Sequence, residues 1–437
     1  MLTPRIGCYA VYEKTEEGWE NAAEQMKSVC RDLRMAGLDA VEAPESVVDE
    51  ASCKRVAEWF AGKDIDLLHP LIVTWSFDHF TFMIWQKVRV PVAIRTIPGI
   101  RTGSVVGGQQ LGCVLTDLEI EHRLFYGPLG NVKTSDETAV YARACSLKKS
   151  LAGAKFAMLG RRTPGMTPIV FDELRIMHLF GSLVATMGMN EVDEYTEKIS
   201  LKEAETEWKR ISSKANTVIC TYENGVAATR NYLAFKSLAK ERGFDAITVG
   251  SYPDCQGTAC LAISLLNDES IVTGCEGDMN STIAMYILNK LCGTPVHFGE
   301  MLDIDETENT IISSHCGAAA ISLADGKGHV LCPVRLANNG VCVRFSSKTG
   351  PVTYVNLVGG KDGYRMCAFE GEAMPTGMVF EGNPMKIRLK APFRRIWDKI
   401  SEYGFCHHWM AVYEHVVPEL SEFCRITGIK GIFPDHP

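Results

Sequence analysis

Apolar residues recur along this chain in two rhythms. Through most of its length, short apolar runs at 5–11, 65–74 and 154–160 alternate with segments of helical period such as 19–35. Strands alternating with helices predict βαβ units around a parallel sheet. The first series opens with the strand at 5–11 and the helix over 19–35, then runs through Leu38-Asp-Ala-Val-Glu to the apolar run at 65–74. A second series starts at 154–160, where a strand meets a glycine and then a helix expected from about Ile169. It continues through apolar strands at 216–221 and 245–250.

Past about residue 320 the rhythm becomes a period of two. Gly340-Val-Cys-Val-Arg-Phe and Gly350-Pro-Val-Thr-Tyr-Val-Asn-Leu alternate apolar and polar positions between turn residues, the pattern of antiparallel strands. A last helix is expected over 416–428, with Pro418 tolerated in its first turn. The expected fold is therefore α/β: two successive doubly wound, Rossmann-like domains, 1–150 and 151–318, followed by a β-rich C-terminal domain, 319–437. A chain of 437 residues exceeds what one core serves, in line with this division.

Charge and composition narrow the partners. The net charge is −8 and no run of Lys and Arg is dense enough to track phosphates, so nucleic acid is not an expected partner. No stretch has the roughly 20 apolar residues of a membrane span, and the first residues lack a leader pattern. Sixteen cysteines without a C-x-x-C pair, set in apolar contexts such as Val-Ile-Cys220-Thr, read as reduced buried thiols of a cytoplasmic protein.

Four passages put unusual polar residues beside glycines and strand ends, where open α/β sheets carry their sites. In Cys275-Glu276-Gly277-Asp278, between an apolar strand and a helix, Glu276 points outward from the sheet edge, while Asp278 reads equally as a helix N-cap. In Met301-Leu-Asp303-Ile-Asp305, alternation puts both aspartates on one face, as a site or as a solvated edge strand. His315 ends the apolar run Ile-Ile-Ser-Ser-His, either as a ligand or as a core histidine. Of the adjacent pair His407 and His408, at most one faces a given point from a strand. Two carboxylates with one or two imidazoles suit a divalent ion that accepts mixed oxygen and nitrogen donors, such as Mn²⁺.

The stretch Ser251-Tyr-Pro-Asp-Cys-Gln-Gly-Thr-Ala-Cys, running into Thr273-Gly-Cys-Glu-Gly-Asp-Met, resembles the L-fucose isomerase family. Glu276-Gly-Asp and Cys406-His-His-Trp resemble the L-arabinose isomerases as well. Gly160-Arg-Arg-Thr-Pro-Gly-Met166 and Gly107-Gly-Gln109-Gln-Leu-Gly resemble substrate-side loops of the same superfamily. The resemblance implies two α/β domains with a β-rich third, a homo-oligomer (trimer or hexamer), and metal ligation by Glu276, Asp303 and His408. It favours Asp303 over Glu300 and Asp305 through the phrase Met-Leu-Asp-Ile, and makes His315 a fourth ligand of the arabinose type.

The implied reaction interconverts an aldose and its ketose through a cis-enediol, with Glu276 and Asp303 as the acid/base pair. Substrate contacts are expected from Trp75, Gln109, Met166 and His407; Trp75 reads equally as core and His407 as a packed neighbour. Two alternatives stay open: a non-catalytic sugar-binding or regulatory protein, and an isomerase or epimerase of a modified sugar.

Overall fold

The computed structural model describes residues 1–255 and 257–436. It divides into two compact units, Met1–Lys149 and Ser150–Pro437, with the boundary inside the helix Val132–Leu151.

In the first unit, β1 (Arg5–Val11), β2 (Asp39–Glu42), β3 (Leu67–Ile72), β4 (Val92–Thr96) and β5 (His122–Tyr126) form one sheet in the order β2-β1-β3-β4-β5. Every pairing is parallel. β3 reads Leu-Leu-His-Pro-Leu-Ile and is buried at all six positions, as a central strand covered on both faces must be. Phe60, Leu68, Ile84, Ile94 and Leu115 join the helices to the sheet in one apolar core. The helix Glu50–Ala61 starts at a capping box in which Asp49 and Ser52 satisfy each other's backbone N–H groups. A parallel sheet joined by helices is the α/β class expected for this part of the chain.

The second unit begins with β6 (Lys155–Leu159), β7 (Leu183–Met187), β8 (Thr217–Val218), β9 (Ala246–Val249) and β10 (Val272–Gly274). Its remaining strands are β11 (His297–Asp305), β12 (Thr310–Ser314), β13 (Val330–Val334), β14 (Asn339–Arg344), β15 (Gly350–Val358), β16 (Arg365–Met374), β17 (Met385–Leu389), β18 (His408–Val412) and β19 (Lys430–Ile432). Four of them make a parallel sheet in the order β10-β9-β6-β7. The strand expected at 216–221 is absent from it: β8 is two exposed residues long and pairs instead with β13, beside β14. The helix expected from Ile169 starts later, at Glu173. Residues 167–169 form a single 3₁₀ turn containing Pro168, and Asp172 caps the helix by accepting from the Arg175 N–H.

The antiparallel part closes on itself. β15, β18, β11, β12, β17 and β16 pair in that order, and β16 pairs back to β15, giving a six-stranded barrel with β19 added parallel to β16. The barrel already begins with His297, so β11 and β12 pair with strands from beyond residue 319. Closure leaves these strands without free edges. Inside, the rings of Tyr354, Phe369 and Trp409 meet at centroid distances of 5.2–5.6 Å. The helix Val417–Thr427 carries Pro418 in its first turn, as expected. Among the described residues no helix is long and apolar enough to cross a membrane.

Phe369 is fully buried at the centre of this ring cluster. Truncating it leaves a cavity no neighbour can fill, so Phe369→Ala is expected to cost about 3–5 kcal/mol in denaturant unfolding of the second unit. A loss below about 1 kcal/mol would mean the barrel interior is not the packed core described.

Candidate metal centre and active site

The site is assembled where the parallel sheet meets the barrel within the second unit. β10 ends at Gly274, and the chain turns through Cys275-Glu276-Gly277-Asp278 into the helix Met279–Cys292. Glu276 adopts φ 61°, a left-handed conformation that costs a residue with a Cβ roughly 1–2 kcal/mol. The turn is held on every side. Glu276 N–H donates to Ser251 Oγ at 3.1 Å, its carbonyl accepts from Thr163 N–H at 3.1 Å, and Gly277 N–H donates to the Val249 carbonyl at 2.9 Å. Gly277, at φ 69°, has no room for a side chain, because a Cβ there would lie 2.8 Å from Arg162 Cα. The Gly160-Arg-Arg-Thr loop thus seats directly against the turn.

Facing the turn is the start of β18. His408 is 1 % exposed; its Nδ1 lies 2.8 Å from Asp278 Oδ2 and its Nε2 lies 3.1 Å from Glu276 Oε2. Asp278 also caps the helix by accepting from Ser281 N–H at 3.0 Å, the N-cap read from sequence. β11 lies beside β18 and puts Glu300 opposite His408; β12 puts Ser314 on the other side of Glu300. Phe298 and Glu300 share one face by the strand period. The Phe298 ring packs at 5.0 Å from that of His315 and 4.7 Å from that of His408. His315 Nε2 stands 3.9 Å from Glu276 Oε1, and His407 Nε2 stands 4.0 Å from Glu300 Oε1.

Two overlapping groups can hold a cation: Glu276 with His407 and His408, and Glu300 with His315 and His408, donor atoms within 4.8 Å of one another in each. Carboxylates and imidazoles grouped in this way fit a divalent ion with mixed oxygen and nitrogen ligands. Asp278, on the far nitrogen of His408, stands where an outer carboxylate would fix the tautomer and direction of a ligating imidazole.

Electrostatics follow from this packing. Burial raises the pKa of Glu276, but the hydrogen bond to His408 and the charges of His315 and His408 outweigh it and hold the carboxyl below its ordinary value. Burial opposes protonation of His408, yet its bonds to Asp278 and Glu276 lift it to about 9. His315 is likewise opposed by burial and lifted to about 9 by Cys275 and Glu276. His407 is lowered by burial and by the neighbouring His408.

Of the residues singled out in the sequence, the structure brings Glu276, His315, His407 and His408 together. Asp303 is not with them: it is exposed beyond a register shift in β11, and its Oδ1 accepts from the next residue's N–H at 2.9 Å. The acid that joins the group is Glu300, whose position depends on pairing with a strand a hundred residues away, invisible to local spacing. Met166 is half-buried at the 3₁₀ turn 167–169, in the same unit.

Trp75 and Gln109 belong to the first unit. Trp75, half-buried past the carboxyl end of β3, donates its indole N–H to Gln110 Oε1 at 3.0 Å. Gln110 in turn donates to Asp78 at 2.6 Å. Gln109 is exposed, so the amide that meets Trp75 is its neighbour, one residue further round the helix Ser104–Asp117.

No family model matches the chain. A curated sulfoquinovose isomerase of Alkalicoccus urumqiensis is 26 % identical over 380 residues, 82 % of this chain and 84 % of that protein. Another, from Clostridium sp. (strain MSTE9), is 29 % identical over 302 residues, 67 % of each. Among solved structures, an arabinose-binding component of a Shewanella sp. ANA-3 transporter aligns with 66 % of this chain and 86 % of its own at 12 % identity, with a TM-score of 0.16 that carries no weight for fold or function. The curated relatives support an enzyme, a sugar isomerase that interconverts an aldose and a ketose.

Because His315 and His408 have folded pKa values raised from 6.5 to about 9, the metal-free protein holds more protons than its unfolded chain between those values. Their contribution to stability is complete below pH 6.5 and is lost as pH rises through about 9. The thermal midpoint of the chelator-treated protein is therefore expected to fall across this window, and His408→Gln to flatten the fall. A midpoint rising with pH would contradict the buried carboxylate–imidazole network.

Proposed function

We propose that this chain is a divalent-metal-dependent aldose–ketose isomerase of the L-fucose and L-arabinose isomerase type, acting on sulfoquinovose or a close sulfo-sugar. The two overlapping groups Glu276, His407, His408 and Glu300, His315, His408, which share the buried His408, carry this reading. The curated sulfoquinovose isomerases support the substrate class.

Glu276, Glu300, His315 and His408 would hold the ion, with Mn²⁺ the cation that suits the donors. The bound ion supplies Lewis-acid polarisation of the sugar carbonyl and lowers the pKa of the adjacent alcohol. The remaining work belongs to side chains. The reaction moves one proton between neighbouring carbons through a cis-enediol, so a single ionised carboxylate on one face of the sugar must take it and return it. Glu276 is the carboxylate assigned to this transfer, with Glu300 as its acid partner in place of the Asp303 expected from sequence. Glu276 is kept ionised by its imidazole neighbours and is held in direction by the turn. Asp278 orients His408 and keeps its charge matched. His407, beside Glu300 and half-exposed, is positioned to bond a sugar hydroxyl. A homo-oligomeric, cytoplasmic enzyme remains part of this proposal, with the β-rich part counted from His297 in place of residue 319.

Glu276→Gln keeps the volume and removes the base, so turnover with added Mn²⁺ is expected to fall by about 10²-fold or more. The pair Glu300→Gln and Asp303→Asn separates the two assignments: the first is expected to lose activity similarly, the second to remain within about threefold of the parent. Equal loss in both, or loss only in Asp303→Asn, would restore the aspartate. The test assay is interconversion of sulfoquinovose with its ketose by chelator-stripped protein with and without Mn²⁺. Turnover that is the same without metal would end the metal-dependent reading.

A further inference from the structure

His315 has two sides. Its Nε2 faces the carboxylate of Glu276, whereas its Nδ1 lies 3.3 Å from the Cys316 thiol. On that second side the donors are sulfur. Cys275, His315 and Cys316 offer ligand atoms all within 4.8 Å of one another. Both thiols are free. Cys275 is buried, while Cys316 is half-buried and so gives the group its access.

We propose that Cys275, Cys316 and His315 form a second metal site selective for a thiophilic cation such as Zn²⁺ or Cd²⁺. A tetrahedral ion with metal–sulfur bonds of about 2.3 Å needs its donors about 3.8 Å apart, a contraction of roughly 1 Å from the outer limit seen here. Two thiols and one imidazole make a donor set that favours soft cations, whereas the neighbouring carboxylates favour Mn²⁺ or Mg²⁺. Each coordinating thiol gives its proton to solvent, so binding involves no oxidation and strengthens as pH rises.

The two sites share His315, and they share a backbone as well. Cys275 Sγ lies 3.1 Å from Ser251 Oγ, the atom that accepts the Glu276 N–H. A cation on the thiol side therefore claims the imidazole, sets a second positive charge close to the first, and pulls on the turn that aims Glu276. The two occupancies oppose each other, and by linkage each weakens the other equally.

Reduced, chelator-stripped full chain titrated with Co²⁺ and Cd²⁺ tests the site through thiolate-to-metal charge-transfer absorption. One equivalent of Cd²⁺ is expected to produce the band, Cys275→Ser/Cys316→Ser to lose it, and the exposed-thiol control Cys113→Ser to keep it. Preloading with one equivalent of Cd²⁺ is expected to weaken Mn²⁺ binding at least tenfold, read from the paramagnetic resonance of free Mn²⁺. Should the double variant fail to fold, Cys316→Ala alone is expected to reduce the band by a third or more. No thiolate band in the parent at one equivalent, or an undiminished band in these variants, overturns the proposal. Co²⁺ bound without any thiolate band would do so while leaving the carboxylate centre and its isomerase reading intact.

Discussion

One buried chain of charge, Asp278 to His408 to Glu276, is what the second unit is organised around. None of the three can be buried alone without a penalty of several kcal/mol, so each requires the others to be delivered to the same point. The parallel sheet delivers the two acids, at a turn so tight that Glu276 occupies a left-handed conformation and the next residue must be glycine. The barrel delivers the histidine, from the start of a strand whose neighbour brings Glu300. Sheet and barrel are thereby registered by the polar group they jointly enclose.

That arrangement explains a conflict that would otherwise count against the fold. Buried imidazoles and carboxylates with strained backbone are poor choices for stability, and they are expected where a site over-determines the structure around it. The apolar mass on both sides supplies the rigidity: a helix from Met279 buried along nearly its whole length, and the aromatic core of the barrel. Asp278 does two jobs with one carboxylate, capping that helix and steering His408, so the helix start and the site geometry cannot drift apart.

Much of this was legible in the sequence wherever the signal was local. The alternation of apolar runs and helical segments predicts a parallel sheet in the first unit and places β1, β2 and β3, though not β4 and β5, and the Glu276-Gly-Asp turn stands out by its polar residues at a strand end. What escaped was set by pairing over long range. Glu300 and Asp303 are three residues apart in one strand, and nothing in their spacing says that a register shift after Met301 turns the second one outward. The apolar-apolar-acid phrase pointed to Asp303, whereas the acid that lies beside His315 and His408 is Glu300. Phe298, two residues before Glu300, was the available clue, since an aromatic on that face packs against the histidine rings. Likewise Gln109 and Gln110 differ only in helical phase, and the strand expected at 216–221 reads as an ordinary apolar run until its partner in β13 is known.

The measurement that bears most directly on the account is anomalous diffraction from crystals of the Mn²⁺-loaded protein. The account predicts one strong manganese peak within about 2.0–2.6 Å of donor atoms from Glu276, Glu300 and His408, with His315 beside it. A peak coordinated by Asp303 instead of Glu300, or no ordered manganese among these residues, would contradict it.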